Sequence, residues 1–311
     1  MHRGWEENVK IGIMLPISES DDGDVPRYAD VRARAMQVEA DGFDSIWLAD
    51  HLLYRWPDQP TRGIWEAWTL MAALAEATER VQIGALVVCT AFRNPALLAK
   101  MADALDEVSG GRLILGLGAG WHEPEFTAFG YEFDHLAGRF EDALRIIAPL
   151  VRTGKVDYEG TYERAPGAVS LPRGPRPGGA PILIGAFRPR MLRLTAELAD
   201  AWNTCWLGRA AELPERLAPL EAACGEVGRD PASLDVTVGQ IVTFADLVDD
   251  SSQAEKLEKH TFADAADLAA EFGKFAELGV KHLIVWPEPR GEACFTRIAE
   301  ALRLYRQGAQ G

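Results

Sequence analysis

The sequence has no CxxC pair, no Gly-Lys-Ser/Thr triplet and no apolar run long enough to cross a bilayer. Its four cysteines, Cys89, Cys205, Cys224 and Cys294, are scattered through apolar segments. That excludes a disulfide framework and reads as reduced thiols. Basic residues are outnumbered, 32 Lys and Arg against 47 Asp and Glu, for a net charge of −15. Nucleic acid and anionic membrane surfaces are therefore not expected partners. The first residues carry no apolar h-region, so the expected location is the cytoplasm. Histidine is scarce, with six in the chain. His122-Glu123 begins as a HExxH zinc site would, but Phe126 stands where the second His is needed, and no metal is expected.

What is present is a regular alternation. Short β-like runs at Val9–Leu15, Asp44–Ala49, Val81–Val88, Leu113–Gly118, Pro181–Gly185, Asp200–Trp206, Leu234–Phe244 and Lys281–Trp286 are separated by helical patterns. The helices are signalled by punctuation: Asp24 and Pro26 open the first and Gly42 ends it, Asn94-Pro95 opens another, and Pro189 a third. Further helices are expected over Ile64–Ala77, Arg139–Arg152, 212–227 and Asp264–Leu278, with a last one ending near Tyr305. Eight β/α units without a linker predict a single (β/α)8 TIM barrel over residues 1–311. The Gly- and Pro-rich segment at about 155–180 reads as an irregular insertion after the fourth unit, with loop and hairpin character, and 245–263 is a second stretch of excess. The rival is a doubly wound sheet, but the first strand is followed by Pro16-Ile-Ser-Glu-Ser, which has no glycine fingerprint.

Five glycines fall within "SGGRLILGLGAGW", residues 109–121. A dinucleotide loop fails here because Glu123 and Pro124 follow where the third glycine should stand. Alternation puts Leu113, Leu115 and Leu117 on one face and Ile114, Gly116, Gly118 and Gly120 on the other. On an inward face, those glycines leave room at the barrel mouth for a ligand; the competing reading is tight strand–helix packing.

Barrel chemistry sits at the C-terminal ends of strands. Strand two ends in Asp50-His51. The pair reads equally as a carboxylate beside a titratable imidazole and as a capping Asp beside a hydrogen-bonded surface His. Strand five ends in Gly185-Ala186-Phe187-Arg188-Pro189-Arg190, opening a helix. Free amides there, with two arginines, suit an anion, and the alternative is a solvated basic first turn.

Taken together, "GFDSIWLADHL" (42–52), "RVQIGALVV" (80–88), "RNPALLAKMADALDEVSGGRLILGLGAGW" (93–121), "PILIGAFRPRMLRLTAELADAWN" (181–203) and "GRDP" (228–231) carry a resemblance. Over nearly its whole length the chain resembles the luciferase-like monooxygenase superfamily, in particular the branch using the deazaflavin coenzyme F420. The resemblance implies a (β/α)8 barrel with an insertion after the fourth unit and FMN or F420 at its mouth. It makes His51 the acid/base beside the reactive ring, with Asp50 either orienting it or capping the next segment. It places a bulge with a non-prolyl cis peptide around Leu86, Val87 and Val88. Gly118, Ala119 and Gly120 would line the ring pocket, with Trp121 or Glu125 closing it. Gly185, Ala186 and Phe187 would offer amides to a phosphate, with Arg188 or Arg190 nearby. Ala186 departs from the two glycines usual there, and Trp121 stands where well-studied deazaflavin enzymes carry a Glu, so that acid role does not transfer. The implied reaction is F420-dependent hydride transfer to or from a small organic molecule. The alternatives are an FMNH2-dependent monooxygenase served by a separate reductase and a barrel that binds flavin without turnover. The assembly implied is a homodimer.

Overall fold

The computed structural model describes residues 9–20, 23–248 and 257–308. The strands are β1 Lys10–Met14, β2 Ser45–Leu48, β3 Gln82–Ala85, β4 Leu113–Gly118, β5 Ile182–Gly185, β6 Ala201–Leu207, β7 Asp235–Phe244 and β8 His282–Pro287. Each lies parallel to the next, and β8 pairs with β1, so the sheet closes into a (β/α)8 barrel. The surrounding helices are α1 Tyr28–Ala40, α2 Ala67–Ala77, α3 Pro95–Val108, α4 Leu136–Thr153, α5 Pro189–Leu198, α6 Leu213–Val227, α7 Ala265–Glu277 and α8 Glu292–Gly308. No helix among the described residues is long and apolar enough to cross a membrane.

The local signals explain most boundaries. Asn94 caps α3 by accepting from the Leu97 amide at 3.0 Å, and Pro95 fits the first turn because it has no amide to satisfy. Several starts differ from expectation, α4 beginning at Leu136 rather than Arg139. Arg27, not Asp24, is the residue before α1. The second helix begins at Ala67, where Glu66 accepts from the Trp68 and Thr69 amides, while Arg62–Gly63 pairs with Leu53–Tyr54. A short helix, Glu123–Phe129, precedes α4, with Pro124 in its first turn and Gly130 closing it at φ 77°. The 155–180 insertion contains an antiparallel hairpin, Lys155–Glu159 against Arg164–Val169. In the other stretch of excess, 249–256 lie outside the described residues.

Strand alternation divides the core in two. Leu113, Leu115 and Leu117 join the layer between strands and helices, whereas Ile114 joins Met14, Trp47, Leu183 and Ile284 inside the barrel. Trp47 forms the barrel floor. A Cβ on Gly84 would stand 2.5 Å from its ring, and one on Gly12 would stand 2.7 Å from its Nε1 and 2.0 Å from Ser45 Oγ. The flanking strands carry glycine because the indole occupies their side-chain space.

The floor also carries a polar chain. Trp47 Nε1 donates to Ser45 Oγ at 2.6 Å, and Ser45 Oγ lies 2.7 Å from His282 Nε2. Indole is a donor only, so the serine hydrogen is free to point at an unprotonated Nε2. Burial, reinforced by the Lys10 charge, pushes His282 down to about 3. Below the ordinary histidine value the unfolded chain therefore binds a proton that the folded chain refuses, and stability falls with pH. Between pH 6.5 and 5 this one group is expected to cost about 2 kcal/mol. Buried His122 and His260, also shifted downward by desolvation, act in the same direction. Urea denaturation at the two pH values measures the loss, and His282→Gln should remove close to one proton from its pH slope. An unchanged slope would rule out His282 as the source.

Candidate functional site

The C-terminal ends of the strands surround a cavity of about 930 Å³. Ala49, Leu86, Val87, Gly118, Gly185, Cys205 and Ile241 are among its lining residues. Asp50, His51, Ala119, Gly120, Trp121, Ala186, Phe187, Arg188 and Arg190 border it as well. Of the residues singled out from sequence, Val88 does not: it is buried against the helix layer. Leu86 and Val87 both pack toward the interior group, so the outward turn comes one residue later, at Val88. The Leu86–Val87 peptide bond is cis.

The space beside the β4 glycines is not empty. A Cβ on Gly118 would stand 2.4 Å from Val87 Cγ2, and one on Gly116 would stand 2.2 Å from the Ala85 carbonyl oxygen. At Gly120, with φ +82°, it would meet Phe126 and Cys89. The glycines accommodate the neighbouring strand's bulge, and the cavity opens above it. This modifies the expectation that their missing side chains directly leave room for a ligand.

His51 follows β2. Its Nδ1 lies 2.8 Å from Glu125 Oε1, and Glu125 Oε2 accepts from the Leu52 amide at 2.8 Å. Glu125 comes from the first turn of the 123–129 helix and is buried, 1% exposed. A helix N-terminus favours a carboxylate at that position. Because a carboxylate accepts, Nδ1 carries the hydrogen, and Nε2 is left with no hydrogen bond among the described residues. Sequence reading gave Glu125 only a closing role; the signal for its contact with His51 was a Glu three residues past His122, in a turn opened by Pro124.

The hydrogen bonds of Asp50 go to partners other than His51. Its carboxylate takes both arms of Arg93, at 2.7 and 2.9 Å, and the Cys89 amide at 2.9 Å. The preceding strand directs Asp50 into the barrel wall while His51 turns to the mouth. Arg93 reaches Glu66 with the same guanidinium, and it is held above the ordinary arginine value by these bonds against its own desolvation.

Two thiols and a phenol at the mouth are held in their neutral forms. Burial pushes the Cys89 and Cys205 thiols and the Tyr54 phenol up to about 12. The thiols therefore stay protonated at neutral pH and are poor nucleophiles. Among the described residues no group of three His, Cys, Asp or Glu is placed to hold a metal ion.

At β5 the predicted anion end is only partly available. The Ala186 amide donates to the Asn203 carbonyl at 3.4 Å, its carbonyl accepts from Trp202 Nε1, and its methyl packs into the outer core. The side chain replacing the expected second glycine is thus accommodated away from the cavity. Arg190 donates twice to Glu141 and is already neutralised. Its bond is the main reason the Glu141 carboxyl lies below the usual range. The Arg188 side chain is exposed and makes no hydrogen bond or ion pair to the described residues, and α5 has no side-chain cap. The Phe187–Met191 backbone and Arg188 remain for an anion.

Aromatic rings edge the mouth. Trp56 and Trp121 stack with centroids 5.7 Å apart, His51 lies 5.5 Å from Trp121 and 4.8 Å from Tyr54, and Trp206 meets Trp286 edge-on at 5.4 Å.

Residues 9–293 match the family described as luciferase-like monooxygenase. The chain is 32% identical over 174 residues to a 5,10-methylenetetrahydromethanopterin reductase of Archaeoglobus fulgidus, covering 56% of this chain and 48% of that protein. It thus spans about half the length of that relative. It is 31% identical over 246 residues to an F420-dependent glucose-6-phosphate dehydrogenase of Kineococcus radiotolerans, covering 76% of this chain and 69% of that protein. The solved structure of an F420-dependent secondary alcohol dehydrogenase in complex with an F420-acetone adduct superposes with a TM-score of 0.80, at 20% identity, over 96% of this chain and 100% of that one. At that identity the likeness speaks for the fold.

Proposed function

The chain belongs to the luciferase-like monooxygenase family, and from that premise we propose that it is an F420-dependent oxidoreductase moving a hydride between the coenzyme and a small organic substrate. The observation that carries this reading is the His51–Glu125 pair at the edge of the cavity. A carbon bearing a hydroxyl releases hydride as its oxygen loses a proton, and a carbonyl accepts hydride as its oxygen gains one. Nε2 of His51 is the group for that proton, and Glu125 holds the ring and offsets the charge formed on it.

The residues fit an extended ring-and-phosphate ligand. The cavity volume, about 930 Å³, is in the upper range for small-molecule sites. Bare backbone at 118–120 offers a flat contact, and the uncapped start of α5 with Arg188 offers the anion end. F420, when bound, supplies the carbon that accepts or donates hydride. The relatives named for F420 support the choice of deazaflavin.

Titration of the purified protein with F420 and FMN, each oxidised and reduced, tests the cofactor. F420 is expected to bind with a micromolar Kd, at least about ten-fold tighter than either form of FMN. Preference for reduced FMN would overturn this choice in favour of oxygen activation. Binding of neither would leave a non-catalytic barrel.

A further inference from the structure

Barrel order puts β1 opposite β5. The Arg188 end of the cavity lies at β5. A second cationic group stands across the mouth: Arg290, in the loop after β8, donates through NH1 to Ser18 Oγ at 2.6 Å, from the loop after β1. Its guanidinium lies 5.0 Å from the centre of the Trp286 ring. A neutral hydroxyl and an indole face orient a cation without neutralising it.

Indole rings around the same mouth are open to solvent. Trp121 is 56% exposed, and Trp56 and Trp206 are each 37% exposed, although all three border one cavity. Large indole faces grouped around a pocket gain by being covered with apolar, flat surface. Resting on the reading of this mouth as the active site, we propose that the substrate is a planar aromatic anion. Its anionic group pairs with Arg290, and its ring lies against the tryptophans. Arg290 is then the specificity-determining residue, and the two ends of the cavity bind different anions.

Isothermal titration of the full chain, with and without F420, tests this using 2-naphthoate and its neutral analogue 2-naphthylmethanol. The carboxylate is expected to bind at least about ten-fold tighter, the effect of one charge-assisted pair. Arg290→Met should abolish that preference and leave binding of the neutral probe unchanged, while Arg188→Gln should leave the preference intact. Arg290→Gln, which keeps a donor near Ser18, should give the same result if Arg290→Met does not fold. Equal binding of both probes, no binding of naphthoate, or a preference lost in Arg188→Gln instead overturns the proposal. Naphthoate selectivity at Arg290 without F420 binding leaves this inference standing and removes the deazaflavin assignment. F420 binding without naphthoate binding does the reverse.

Discussion

His51→Ala is expected to lower kcat by about 10²- to 10⁴-fold while changing the Kd for F420 by less than about three-fold. The expectation follows from Nε2, which has no competing hydrogen bond among the described residues and stands at the cavity edge. Removing it removes proton transfer but little binding surface. Glu125→Gln is expected to fall between the two, with kcat down about 10- to 100-fold, because the amide retains an acceptor for Nδ1 but not the charge that stabilises imidazolium. Steady-state kinetics with an identified substrate and fluorescence titration of F420 measure the two quantities. Equal losses of turnover and affinity in His51→Ala would sink the acid/base role and make the imidazole part of the binding surface.

Asp50→Ala should act on the fold instead. The substitution leaves the Arg93 guanidinium, only 11% exposed, with Glu66 as its remaining carboxylate, and it strands the Cys89 amide. Breaking a buried pair of this kind costs about 3–5 kcal/mol. For a chain of this size that is a fall in Tm of roughly 5–8 °C by calorimetry. Cys89 belongs to the short segment after the Leu86–Val87 bulge, so the bulge loses its anchor and F420 binding should weaken together with stability. An unchanged Tm with reduced kcat would return Asp50 to the chemistry, through His51.

The barrel was legible because its signals are local. β4 runs over Leu113–Gly118 as its apolar run suggested, and α5 over Pro189–Leu198, where proline marks the first turn. The inward face of β4 followed from alternation alone. What the sequence hid are partnerships between distant positions. Glu125 and His51 are 74 residues apart, and Arg93 and Asp50 are 43 apart. Adjacency left Asp50 open as either a partner for His51 or a cap, and neighbours on an extended chain point in different directions. The glycines raised the same difficulty in reverse. A missing side chain announces that something comes close, and only the fold reveals that Val87 does so at Gly118.

That intrusion makes the depth of the mouth a matter of one side chain. Val87 stands beside Gly118 and Gly185 and also contributes to the cavity wall. Trimming or extending residue 87 therefore moves the bottom of the cup while leaving the Trp47 floor and its polar chain in place beneath it. The barrel thus has a false bottom: an adjustable shelf for the ligand, set above a separate layer that keeps the staves together.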